Sequence, residues 1–339
     1  MAMQRYNIIK TFPGEERFQQ FESLPVKLYR KNSASLHYWF SPVAAHLEGC
    51  YFLEHGNKVV GRFAFYQNPH LSYEKQSAAC LGSYECINNT NVSNVLLKQA
   101  MHLAKDKGHT WLVGPMEGST WNNYRFTNHN QYRNFFLEPC HHSYYNLQFI
   151  KAGFVPLANY FSKLDENLAY DEEKLNKFEQ HFINQGAIFR NLNMDDLHNE
   201  LKKIASCSLA GFSNNLFFTP IAIDDFIDKY KSLAKYIDPG LVYIVDNANK
   251  EIQAFMFAIK DYTDSQGKTI IIKSLAKIPG TSFKGIGSYL TGKIVQTAKK
   301  RGYKKIIHAF MVKDNHSVSI SNKYGGKEFK SHTLYGIKL

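Results

Sequence analysis

Residues 270–309 read IIIKSLAKIPGTSFKGIGSYLTGKIVQTAKKRGYKKIIHA, and their pattern decides the fold. Ile270 to Ile272, with Leu275 and Ala276, have the β-branched and apolar character of a buried strand, and Pro279-Gly280 punctuates it. Lys284, Gly285, Ile286, Gly287 and Ser288 then open a helix whose Leu290, Ile294, Val295 and Ala298 share one face. Gly302 falls where a helix C-cap is wanted, and Lys299 to Arg301 occupy the last turn, where the helix dipole favours cations. Glycines at the start of a helix let successive N–H groups point into one concavity, and the helix N-terminus adds positive potential, so a pyrophosphate suits this junction. The junction lacks the third glycine and downstream acid of a dinucleotide fingerprint. It also lacks the Lys-Ser/Thr of a P-loop. Hydride transfer and NTP hydrolysis are therefore disfavoured.

The same pattern occurs earlier, offset by 194 residues: LLKQAMHLAKDKGHTWLVG (96–114) matches LTGKIVQTAKKRGYKKIIHA (290–309). In the first copy Val92, Val95, Leu96, Ala100 and Leu103 share a helical face, and Gly108 takes the capping position. Upstream, 50–66 and 241–259 each read as a β-hairpin around a polar turn with Asn-Lys, followed by a strand near 78–87 or 270–278. Helices are expected over 195–209 and 223–236, the latter stopped by Pro239-Gly240. The charge-rich segment 166–185 reads as a helical linker. The expected class is α/β, with two tandem domains, 1–165 and 186–339, each a mixed β-sheet flanked by helices.

LAKIP (275–279) followed by SFKGIG (282–287) resembles the acetyl-CoA loop of the GCN5-related N-acetyltransferases, and NHSVSISNKYGG (315–326) resembles that family's closing segment. The loop is a residue or two longer than the family pattern, and Ser282 stands where Gln or Arg is usual. The resemblance implies two tandem acyl-CoA N-acyltransferase-like domains and an amine that attacks a thioester. It also implies acetyl-CoA, or another acyl-CoA, held by Leu275, Ala276, Lys277, Lys284, Gly285, Ile286, Gly287, Ser288 and Asn315. The first copy places Thr90, Asn91 and Ser93 where the second has Lys284, Gly285 and Gly287, so it reads as a degenerate domain that binds CoA poorly or not at all. The family's Tyr acid falls on Asn322. Tyr324, two residues away, and His308, on the strand after the helix, are the candidate catalytic groups, although a packed ring and a satisfied core histidine are the plainer readings of both.

From Gly108 to Gly153 is 45 residues, against 24 from Gly302 to Gly326, so the first copy holds 21 extra, in an insertion over 115–140. Trp121, Asn122, Tyr124 and Arg125 in that insertion supply stacking, amide and cationic groups suited to gripping a small-molecule or peptide amine. A plug between domains is the alternative.

With 339 residues, 44% hydrophobic and 14% aromatic, the chain is neither disordered nor membrane-spanning, and its N-terminus does not read as a secretory signal, so a cytoplasmic location is expected. Five cysteines without CxxC suggest reduced thiols, and the Cys140-His141-His142 run is not expected to bind a metal. Residues 1–185 carry a net charge of +2 and 186–339 a net +10, and the stretch 268–339 has 15 basic residues against Asp314 and Glu328. Such a field suits CoA phosphates. It also leaves two alternatives, a tRNA-dependent peptidyl transferase of the cell-wall bridge type and a non-catalytic CoA sensor.

Overall fold

The computed structural model describes residues 6–29, 41–129, 131–313 and 316–339. In the first half β1 (Tyr6–Thr11) and α1 (Phe18–Leu28) precede the hairpin β2 (Leu47–His55) and β3 (Lys58–Tyr66). The short β4 (Ser72–Tyr73), then β5 (Gln76–Cys86), α2 (Thr90–Asp106) and β6 (Trp111–Gly114) follow. After β7 (Phe126–Thr127) come α3 (Tyr144–Lys151) and β8 (Val155–Asp165). The second half begins with α4 (Glu172–Asn184), β9 (Ile188–Asn191), α5 (Leu197–Phe212) and α6 (Ile223–Lys231). It continues through the hairpin β10 (Val242–Asp246) and β11 (Ile252–Lys260), then β12 (Thr269–Lys277), α7 (Ile286–Lys300) and β13 (Lys305–Val312). It ends with α8 (His316–Asn322) and β14 (Lys327–Lys338).

The repeat read from sequence reappears as β2–β3–β5–α2–β6 and β10–β11–β12–α7–β13, with antiparallel hairpins and parallel β5–β6 and β12–β13 pairs. Both helices stop at the expected glycines, whose φ angles of +77° (Gly108) and +78° (Gly302) are strained for any residue with a Cβ. Leu290, Ile294, Val295 and Ala298 of α7 are fully buried, as are Leu96 and Ala100 of α2. Burial of each larger side chain stabilises by about 1.5–3 kcal/mol.

All but two short strands lie in one path, β1-β2-β3-β5-β6-β14-β8-β13-β12-β11-β10-β9, and the copies meet at its centre with their last strands exchanged. β8, which ends the first copy, pairs antiparallel with β13 of the second, while β14, which ends the chain, pairs antiparallel with β6 of the first. β8 and β14 pair with each other along most of their lengths. α4 is packed onto the second half, with Leu175 and Phe182 buried beside Tyr289 and Phe283. Its acids face α7: Glu179 pairs with Lys293 at 3.1 Å and Glu172 with Lys300 at 3.1 Å.

The five cysteines are free thiols. Among the described residues, no helix is long and apolar enough to cross a membrane, and no cluster of three or more His, Cys, Asp or Glu could hold a metal.

Candidate active site

β12 and β13 pair in parallel only as far as Ile272 opposite His308. Beyond that point β12 stays with β11, while β13 bulges between His308 and Met311 as it follows β8. The two strands part, and a cavity of about 990 Å³ opens between them. In the first half the corresponding strands stay closed, because pairing runs to Cys80 opposite Val113 and the Met116 amide then donates to the Leu81 carbonyl at 2.7 Å.

The start of α7 forms one wall of the cavity through Gly285, Ile286, Gly287 and Ser288. Gly285 is the N-cap, with φ +88° and no side chain capping the helix, and a Cβ placed there would project into open space. Such a terminus presents backbone N–H groups and the positive end of the dipole to an anion. α2 differs: the Asn89 side chain accepts from the amides of Asn91 and Val92, so this end is already capped. Leu275, Ala276 and Lys277 line the same cavity where β12 has left β13. Lys284 is exposed on the loop and does not line it, and Asn315 lies outside the described residues.

His308 also lines the cavity, 4% exposed, with no hydrogen-bond partner at Nε2. Burial, aided by the charge of Lys163, pushes its imidazole down to about 4. It is therefore neutral at pH 7 and not the near-neutral base its position in the sequence suggested. Tyr324 is not among the lining residues. Its hydroxyl donates to the Ser288 carbonyl at 2.7 Å, so it braces the first turn of α7 and is not placed to protonate a leaving group. Asn322 accepts from Lys163 Nζ.

The opposite wall comes from the first-half insertion, and Trp121, Asn122, Tyr124 and Arg125 all face the cavity. Trp121 also packs on Phe212, Phe218 and Phe226 and donates from Nε1 to the Thr219 carbonyl at 2.7 Å, so it is both cavity wall and interface filler. Asn122 donates from Nδ2 to the Glu117 carbonyl at 2.9 Å and accepts from Lys229 Nζ at 3.0 Å.

Sequence reading missed Tyr160 of β8, Phe310 of β13 and Lys273 of β12, all of which line the cavity. Lys273 left a signal, as the one charged residue between Lys268 and Lys277. Burial, then the positive charges of Arg125 and Lys229, push its ammonium down to about 7.

No protein-family model matches the chain, and no curated protein matches it. Solved structures do. The GCN5-related N-acetyltransferase of Sphaerobacter thermophilus aligns with TM-score 0.56 and 9% identity over 100% of this chain and 97% of that one. A tandem GNAT protein from the clavulanic acid biosynthesis pathway aligns with TM-score 0.55 and 9% identity over 98% of both chains. The GCN5-related glucosamine N-acetyltransferase region of a fungal multi-domain GH3 β-N-acetylglucosaminidase gives TM-score 0.60 and 11% identity, covering 99% of this chain and 38% of that one. The chain has the tandem GCN5-related N-acetyltransferase fold.

Proposed function

We propose that the chain is an N-acyltransferase that moves an acetyl or other acyl group from acyl-CoA to a small-molecule or peptide amine. In this reading the second half (186–339) holds the cofactor, and the first half (1–165), joined through 166–185, closes the acceptor side with its 115–140 insertion. The observation that carries it is the single cavity shared by the uncapped α7 terminus, the parted strands and the insertion.

The bound acyl-CoA would supply an electrophilic thioester and a thiolate leaving group. Gly285 to Ser288 fit its pyrophosphate, because the N-cap is free of side chains, and Leu275 to Lys277 would flank its arm. The insertion residues orient the amine and keep water out, which lowers the entropic part of the barrier. His308 is neutral and its enclosed Nε2 has no hydrogen-bond partner, so it adds no charge to the acceptor side of the cavity. The proton that the amine gives up ends on the departing thiolate, so each transfer releases one free thiol.

A CoA sensor without turnover is the second reading, favoured because Tyr324 is committed to Ser288 and His308 is a weak base. The tRNA reading loses support: of the 15 basic residues in 268–339, Lys293, Lys300, Arg301, Lys305 and Lys330 are held in ion pairs. Offering acetyl-CoA with a panel of amines, amino acids and peptides while following free thiol separates the two remaining readings. Thiol release that depends on the amine supports transfer. Acetyl-CoA binding without thiol release from any amine supports the sensor.

A further inference from the structure

Arg125 is only 6% exposed, yet its Nε and Nη1 have no hydrogen-bond partner. Its guanidinium lies 3.9 Å from the ring centre of Tyr124, 4.0 Å from that of Phe310 and 4.5 Å from that of Tyr160. Rings can hold a cation, but they do not replace the acceptors its N–H groups have lost to burial. Lys273 reaches the same Phe310 ring, with Nζ 4.4 Å from its centre. Arg125 and Phe310 both sit at positive φ, +71° and +57°, a conformation that L residues hold only when their surroundings enforce it.

Counter-charge is missing from this place. Among the described residues no aspartate or glutamate lines the cavity, while Arg125, Lys273, Lys277, Lys313 and Lys323 do. The nearby carboxylates are already engaged. Glu138 is held by Lys330 and His332, and Glu117 accepts from Ser83 Oγ at 2.7 Å and from Asn123 at 3.3 Å. Lys229, behind Asn122, adds further positive charge.

We propose that Arg125 and Lys273 form an anion-binding subsite on the acceptor side of the cavity, so that the amine acylated here also carries a carboxylate or a phosphate. A buried guanidinium that lacks acceptors at Nε and Nη1 is completed by the oxygens of an anion, and the adjacent ammonium supplies a point charge. The position differs from that of the CoA phosphates. Lys273 directly follows the last β12–β13 pair, whereas the anion-binding terminus of α7 begins only after the 278–284 loop. The proposal rests on the acyltransferase reading, but its test does not require turnover.

The chain is melted in potassium acetate, potassium phosphate and potassium chloride at equal ionic strength, with and without saturating acetyl-CoA. At tenfold the dissociation constant, acetate or phosphate should raise the midpoint over chloride by about 2 °C, also with acetyl-CoA present. The increment should vanish in Arg125→Gln and in Lys273→Gln, and the second variant decides if the first fails to fold. Acetate against phosphate identifies the anion. In the thiol assay β-alanine should have a KM at least about tenfold below β-alaninamide, or phosphoethanolamine below ethanolamine, and the ratio should fall to about 1 in the variants. An Arg125-dependent increment without thiol release would sink acyl transfer and leave the subsite standing. Equal increments in wild type and both variants, or an increment abolished by acetyl-CoA, would overturn the subsite whatever the turnover.

Discussion

The exchanged strand β14 is tied to the first-half insertion by one buried cluster, and Glu138→Gln tests how much that tie holds. Glu138 accepts from Lys330 Nζ at 2.6 Å and from His332 Nε2 at 2.9 Å, and the Phe135 amide donates to it at 3.1 Å. The side chains of Glu138 and Lys330 are both fully enclosed. Burial alone would raise the Glu138 carboxyl, but the His332 hydrogen bond and the Lys330 charge hold it below its ordinary value. Glu138→Gln keeps the shape and leaves the Lys330 charge uncompensated, a change that costs about 3–5 kcal/mol for a buried pair. Lys330 retains the Arg133 carbonyl and Asn134 Oδ1, both at 3.0 Å, which places the loss near about 3 kcal/mol. At about 2.1 cal/mol/K per residue this lowers the melting midpoint by about 4 °C if the chain unfolds as one unit. The wild-type contribution is present above the ordinary carboxyl value and is lost as pH falls through the depressed one, so the variant's deficit should shrink towards pH 3. Urea titration by circular dichroism at pH 7 and pH 3 measures both. A loss of less than about 1 kcal/mol at pH 7, as for an exposed pair, would refute the reasoning.

Tyr324→Phe should cost about 1 kcal/mol of stability, the worth of its bond to Ser288, while leaving the rate of thiol release within twofold. A large fall in that rate with unchanged stability would return Tyr324 to the chemistry. Trp121→Phe removes the bond to Thr219 but keeps a ring, so acceptor KM should rise while acetyl-CoA affinity, read by calorimetry, stays constant. Between about pH 7 and the ordinary lysine value Lys273 is deprotonated in the folded chain, so the acetate- or phosphate-induced rise in melting midpoint should decline from pH 7 to 8.5. Lys273 feels Arg125, Lys229 and Glu138, and Glu117, pushed up to about 7 by burial, titrates beside Lys229. The decline should therefore survive Glu117→Gln and disappear in Lys273→Gln.

Much of the fold was legible because its signals are local. The faces of α2 and α7, their terminal glycines and the two hairpins are set by residues close in sequence, and the repeat doubled each signal. The exchange of β8 and β14 left no local trace, since which sheet a terminal strand joins depends on partners more than 140 residues away. The segment 166–185 read only as a helical linker because composition does not reveal that Glu172 and Glu179 face lysines of α7. At the site, Gly285 to Ser288 and the 121–125 cluster could be picked out by residue type. The burial that makes His308 a weak base, the orientation that commits Tyr324 to Ser288 and the meeting of Lys273 with Arg125 are tertiary facts.

Calorimetric titration of the purified chain with acetyl-CoA tests most directly whether there is one cofactor site, at the start of α7. One molecule should bind per chain, with binding abolished in Gly285→Glu and preserved in Asn91→Glu, because the Asn89 side chain already caps α2. Two molecules per chain, or loss of binding in Asn91→Glu with retention in Gly285→Glu, would contradict it.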